Sequence, residues 1–284
     1  MIKRLLPLFL LLSALPLKAG TIKTESIYSQ ILGTTVQYNV YLPDGFDRTD
    51  AHYPAVYLLH GLSDDYDAWH TKGRMEWVAD ELIRSGEVRP MVVIMPNAGG
   101  PDVHHTWNGY FNMPGWRYED FFFGELVPAV EEKFRCGGCK AQRAVMGLSM
   151  GGGGSVVYAQ RHPEAFSSCY AMSAWLDNKA EEVGTDVPEK DCLYYVGVAV
   201  RERSALDFVD AADENTLQAL RSVAWFIDCG DNDFLLDLNL SLYQKMRNRG
   251  VKCELRVRDG IHNWEYWHLA LRMALPFASR NMGK

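Results

Sequence analysis

"VMGLSMGGGGS", residues 145–155, places four consecutive glycines just after Ser149-Met150, where an apolar run gives way to a helical pattern. Glycine inside a helix costs about 0.8–1 kcal/mol relative to alanine, so the run sacrifices several kcal/mol of local preference. Such a loss persists where backbone geometry matters more than propensity. Gly147-Leu148-Ser149-Met150-Gly151 reads G-x-S-x-G between a strand and a helix, the pattern of a nucleophile elbow. That turn is sharp enough to hold its serine in a strained conformation, and glycines two residues before and after remove side chains that would collide. The remaining glycines let the helix press against neighbouring strands. Its N-terminus then aims unpaired N–H groups and a partial positive charge at the serine. A phosphate-binding loop would need G-x-x-x-x-G-K-[ST], and no lysine follows these glycines.

Outward from this stretch, strand-like runs recur near 35–43, 53–61, 91–98, 143–149, 167–174, 223–230 and 253–260. Most are continuously apolar, as strands buried on both faces are. The first alternates instead, which predicts an antiparallel edge. Helical patterns such as "RMEWVADELIRSG", "GELVPAVEEKF" and "LNLSLYQKMRNRG" lie between them. This order predicts an α/β fold, a mostly parallel twisted sheet with helices on both faces. No repeat or linker divides residues 21–284, which read as one domain. Residues 175–222 are charged, irregular and without a clear strand. They read as a partly helical, cap-like insertion over the C-terminal edge of the sheet, where ligand sites of such folds lie.

The N-terminal "MIKRLLPLFLLLSALPLKAG" has Lys3 and Arg4, an apolar stretch, then small residues at Ala19 and Gly20, the layout of a signal peptide over residues 1–20. An uncleaved N-terminal anchor is the other reading. Export to the periplasm or the exterior is therefore expected, and no later apolar run is long enough to span a membrane. Removing residues 1–20 takes away Lys3, Arg4 and Lys18, moving the formal charge from -7 to -10. An acidic body without a basic run argues against nucleic acid as a partner. The six cysteines all lie beyond residue 20, and the close pair Cys136 and Cys139 in "CGGC" is the expected bridge if any forms. A thioredoxin-like site would follow a strand and open a helix. This pair does the reverse, so a staple or inert thiols are expected.

A serine hydroxyl is a poor nucleophile until a base takes its proton, and the base needs an orienting carboxylate. In chain order Ser, acid, His, the candidates fall at strand ends. "WFIDCGDNDFLL" puts Asp231 or Asp233 at the C-terminal edge, and "RVRDGIHNWEYW" puts His262 in the loop before the last helix. A developing oxyanion would need two backbone donors. The N–H of Met150, after the nucleophile, is one, and Leu62, after His60-Gly61 in "YLLHGLSDD", is the other. The aromatic loop "HHTWNGYFNMPGWRYEDFF" reads more readily as core than as cleft wall. His104 and His105 have no third ligand beside them, so no metal and no cofactor is expected.

Together, "YLLHGLSDDYDAW", "GLSMGGGGS", "DCGDNDFLLD" and "GIHNWEYW" resemble the esterase branch of the α/β-hydrolases. That branch holds esterase D, the feruloyl and acetyl-xylan esterases of carbohydrate esterase family 1, S-formylglutathione hydrolases and mycolyltransferases. The resemblance covers nearly all of residues 22–280. It implies Asp233 as the acid through C-G-x-x-D-x-L, His262 as the base, and Leu62 as an oxyanion donor. It also implies a secreted serine esterase acting through an acyl-enzyme on feruloyl, acetyl or short-chain esters of carbohydrate. Acyl transfer of the mycolyltransferase kind and non-catalytic carbohydrate binding are the alternatives. The run of four glycines departs from relatives, and residues 175–222 carry no specificity signature.

Overall fold

The computed structural model describes residues 19–179 and 191–283. Most of the expected signal peptide, and residues 180–190 of the expected insertion, lie outside the described residues. Eight strands form the main sheet: β1 (Thr21–Ser29), β2 (Thr34–Leu42), β3 (Ala55–Leu59), β4 (Val92–Pro96), β7 (Arg143–Leu148), β8 (Ser168–Met172), β9 (Ala224–Gly230) and β10 (Cys253–Arg258). A small hairpin, β5 (Asn112–Met113) with β6 (Trp116–Arg117), stands apart. The order across the main sheet is β1-β2-β4-β3-β7-β8-β9-β10. From β4 through β10 every pairing is parallel, and β1 and β2 join antiparallel. The expected α/β class is thus observed, with one correction at the edge. β2 is antiparallel but lies inside β1, whose polar sequence "TIKTESIYS" hides it from a search for apolar runs.

Alternate residues of each inner strand enter different cores. Ala55, Tyr57 and Leu59 join one cluster, and Val56 and Leu58 the other. That is why these strands read as unbroken apolar runs. One face is covered by α1 (Ala68–Thr71), α2 (Met75–Ser85) and α10 (Trp264–Asn281). The other carries α3 (Tyr118–Phe121), a π turn (Phe122–Leu126), α4 (Val127–Lys133), α5 (Ser149–Arg161) and α9 (Leu236–Asn248). Between β8 and β9 the described residues form α6 (Cys192–Glu202), α7 (Ala205–Ala211) and α8 (Glu214–Arg221), without a strand. The aromatic loop after β4 divides its side chains. Tyr110, Tyr118, Phe121 and Phe122 are buried, whereas Trp107 and Trp116 are partly exposed.

Cys136 and Cys139 are not bridged, and the other cysteines are free as well. Of the staple and the free thiols that the sequence left open, the thiols are free, and the turn is held by a different device. Gly137 and Gly138 both adopt left-handed backbone, wrapping the turn around the Glu131 carboxylate. Glu131 accepts from the Gly138 N–H at 2.7 Å and pairs with Arg143. Cys136 is buried beside it, and burial pushes its thiol far above the ordinary range.

Candidate active site

Ser149 begins α5 with φ 51, the left-handed region that a non-glycine residue enters only under constraint. The constraint comes from close packing around the glycines. A Cβ on Gly147 would lie 2.5 Å from the Gly151 carbonyl oxygen, and one on Gly151 would lie 2.5 Å from the carbonyls of Leu59 and His60. On Gly152 it would meet the Met172 carbonyl at 2.9 Å, and on Gly154 the Tyr110 ring at 3.0 Å. On Gly153 it would overlap the Trp175 carbonyl. Each glycine of the run therefore abuts a different neighbour, which accounts for all four.

The exits of β9 and β10 are stitched together, since Asp231 N–H donates to the Arg258 carbonyl at 2.9 Å and Asn232 N–H to Gly260 at 3.0 Å. This sets the Asp233 loop beside the His262 loop. Asn263 then caps α10 by accepting from Tyr266 N–H at 3.0 Å, fixing the residue that follows His262. Ser149 Oγ donates to His262 Nε2 at 2.9 Å, and His262 Nδ1 donates to the Asp233 carboxylate at 2.9 and 3.0 Å. Those partners set the tautomer, because a carboxylate can only accept.

The Asp233 side chain is fully buried. Burial opposes its ionisation, but hydrogen bonds from His262, from Leu235 N–H and from the Ser173 hydroxyl outweigh it and hold the carboxyl below its ordinary value. The His262 ring lies between Phe234, 4.5 Å away, and the edge of Trp267 at 4.8 Å. Such a chain lets the hydroxyl lose its proton as it attacks. Asp231, the other acid considered, instead accepts from Gly260 N–H at 3.0 Å, and Asp228 lies beneath the site bonded to Tyr170 and Tyr266.

Met150 N–H belongs to the first turn of α5, where no intrahelical acceptor exists. Leu62 shares the cleft with Ser149. The peptide linking Gly61 to Leu62 is held by His60, which is buried and bonded on both ring nitrogens. His60 Nε2 accepts from Ala98 N–H at 2.9 Å and Nδ1 donates to the Gly61 carbonyl at 2.8 Å. In a trans peptide the carbonyl and N–H point in opposite directions, so gripping Gly61 O turns Leu62 N–H away from the ring. In the sequence His60-Gly61 served only to locate Leu62, and no local pattern showed that the His60 ring grips the Gly61 carbonyl. Ser173 was also missed. It sits at φ 45, accepts from Trp267 Nε1 at 3.1 Å, and carries no motif.

The cleft over Ser149 has a volume of about 500 Å³ and is walled by Leu62, Trp175, Phe234, Leu235 and Leu238, with Lys179 and Asp237 also lining it. His104 pairs with Asp191 and His105 with Asp102. Among the described residues no three His, Cys, Asp or Glu side chains converge as metal ligands, and no helix is long and apolar enough to cross a membrane.

Residues 29–278 match the family described as "Putative esterase". The chain is 26% identical over 257 residues to an endo-1,4-beta-xylanase/feruloyl esterase of Xylanibacter ruminicola, covering 89% of this chain and 30% of that protein. It thus spans under a third of that relative's length. A solved ferulic acid esterase is 44% identical, with a TM-score of 0.88, covering 93% of this chain and 100% of the other. The substrate-bound fluorophosphonate-binding serine hydrolase F of Staphylococcus aureus shares the fold, with a TM-score of 0.75 and 22% identity over 92% of this chain and 99% of the other. Matched along nearly its whole described length, and carrying the elbow, loops and sheet order set out above, the chain belongs to the Putative esterase family, with the α/β-hydrolase fold.

Proposed function

We propose that this chain is an exported serine esterase that hydrolyses carboxylic esters through an acyl-enzyme, with feruloyl groups on carbohydrate as the leading substrate class. Ser149 Oγ attacks the ester carbonyl while His262 Nε2 takes its proton. The oxyanion that forms is held by the N–H groups of Leu62 and Met150, each worth about 10²–10³ in rate. His262 returns the proton to the alcohol oxygen as the C–O bond breaks. Water then repeats the sequence on the acyl-enzyme and releases the acid. Asp233 holds the imidazole in the tautomer that can accept from Ser149 and stabilises the imidazolium.

The observation that carries this reading is the unbroken chain from Ser149 through His262 to a buried Asp233, with both links at 2.9 Å. The apolar walls of the cleft, Leu62, Trp175, Phe234, Leu235 and Leu238, suit an aromatic or aliphatic acyl group. Kinship with a ferulic acid esterase narrows the acyl group further. Export rests on the N-terminal residues 1–20. The full chain should hydrolyse methyl ferulate and take one fluorophosphonate adduct, on Ser149, and Ser149→Ala should lose both properties. Hydrolysis surviving in Ser149→Ala would end the proposal.

A further inference from the structure

A second cleft, of about 420 Å³, opens on the same rim of the sheet. It lies between the start of β2 and the loop leaving β4. Because β2 runs antiparallel to β4, its first residues sit at the C-terminal edge of β4, level with the elbow. Trp107 and Trp116 line it with rings nearly parallel, 9° apart in plane and 6.4 Å between centroids. The β5–β6 hairpin presents Trp116, whose Nε1 donates to the Gly109 carbonyl at 3.2 Å. Gly115, at φ 83, would bring a Cβ to 3.3 Å from Trp107, so the turn lies against that indole.

The exposed Thr34, Thr35 and Thr106, the Asn97 amide and His105, whose Nδ1 is paired with Asp102, also line it. Among the described residues no Asp, Glu, Lys or Arg lines the cleft. A ligand suited to it has an apolar face, many hydroxyls and no charge. That is the chemistry of a neutral sugar, whose C–H face packs on indole while its hydroxyls meet threonine and amide groups.

The cleft is tied to the loop that carries Leu62. Asn97 Oδ1 accepts from Tyr66 N–H at 3.2 Å, and Asn108 Oδ1 from Ser63 N–H at 3.3 Å. β4 stands two strands from β7, so at the usual strand spacing the cleft begins ~10 Å to the side of Ser149. We propose that this cleft is a glycan subsite, holding the neutral sugar chain from which the scissile ester projects toward Ser149. The proposal rests on the esterase reading above and adds the alcohol side of the substrate to it.

Two arms test it. In the first, the Ser149→Ala full-length chain is titrated with an unferuloylated arabinoxylo-oligosaccharide and followed by tryptophan fluorescence. Saturable binding that is lost in Ser149→Ala/Trp107→Ala and in Ser149→Ala/Thr35→Arg is expected. In the second, kcat/KM is measured for methyl ferulate and for a feruloylated arabinoxylo-oligosaccharide. Trp107→Ala and Thr35→Arg should each lower the ratio of oligosaccharide to methyl ester by about tenfold, through KM. Thr35 is exposed at a strand start, so Thr35→Arg blocks the cleft without opening the core. An unchanged ratio, or no oligosaccharide binding to Ser149→Ala, overturns the subsite. If the unsubstituted chain hydrolyses neither substrate, the esterase reading falls, and the binding arm alone decides the subsite.

Discussion

Asp233 is the residue at which burial and hydrogen bonding pull in opposite directions, and the hydrogen bonds prevail. Asp233→Asn keeps the shape but invites the wrong His262 tautomer, so kcat on methyl ferulate should fall by about 10⁴ with little change in KM. Steady-state kinetics would show it. A loss under tenfold would mean that His262 needs no carboxylate. The same depressed carboxyl contributes stability that is complete above the ordinary carboxyl range, near pH 4, and disappears as pH falls below it. His60 has the reverse linkage. Burial lowers its pKa, so below about pH 6.5 the unfolded chain takes up a proton that the folded chain refuses, and stability drops with pH. His60→Ala should lose about 1–3 kcal/mol at neutral pH, from the orphaned Ala98 N–H, and should also flatten the pH dependence of urea unfolding between about pH 5 and 7. Parallel curves for the two proteins would refute this. The rate should fall too, as the peptide linking Gly61 to Leu62 loses its hold.

At the scale of elements, α5 sets propensity against packing. Alanine is a better helix former than glycine by ~1 kcal/mol, yet Gly153→Ala drives a Cβ into the Trp175 carbonyl. That carbonyl is backbone, held because Trp175 N–H donates to Ser149 O at 2.9 Å. The variant should therefore unfold at lower urea, by roughly 1–3 kcal/mol, whereas helix propensity alone predicts a gain. Inner strands and the elbow were legible because burial on both faces leaves continuous apolar runs. β1 was not, since an edge strand with Lys23 and Glu25 along it needs little apolar sequence. The Cys136-Cys139 turn misled for a related reason. Its spacing suggested a covalent link, but its glycines serve the Glu131 carboxylate, a partner no local pattern reveals. Iodoacetamide should accordingly label exposed Cys139 in the native chain well before buried Cys136, Cys169 and Cys229, as peptide mass mapping would report.

For the whole molecule, the sheet order decides what can meet. β9 and β10 are neighbours, so Asp233 and His262 share one stitched pair of loops, while β8 separates them from β7, which leads into Ser149. Ser149, Asp233 and His262 were each legible at a strand end, but their shared support was not, because it is assembled from residues far apart in the chain. Asp228 lies at its centre. From β9 it accepts from Tyr170 of β8 and Tyr266 of α10, with Arg256 of β10 at 3.8 Å. Arg258 of the same strand stacks over the Tyr266 ring and donates to its carbonyl at 2.6 Å. This largely buried polar cluster joins four elements, β8, β9, β10 and α10, and α10 begins just after His262. None of its side chains is among the described residues that line the cleft over Ser149. Tyr266→Phe should therefore lower kcat by a similar factor for small and large esters, leaving their kcat/KM ratio as it was, because a loosened imidazole affects every ester equally. Tyr170→Phe and Tyr266→Phe share one acceptor residue, so their stability losses should couple by about 0.5–3 kcal/mol in a double-mutant cycle. Additive losses, or a Tyr266→Phe effect confined to one ester, would show that the cluster only fills the core and does not hold His262 in place.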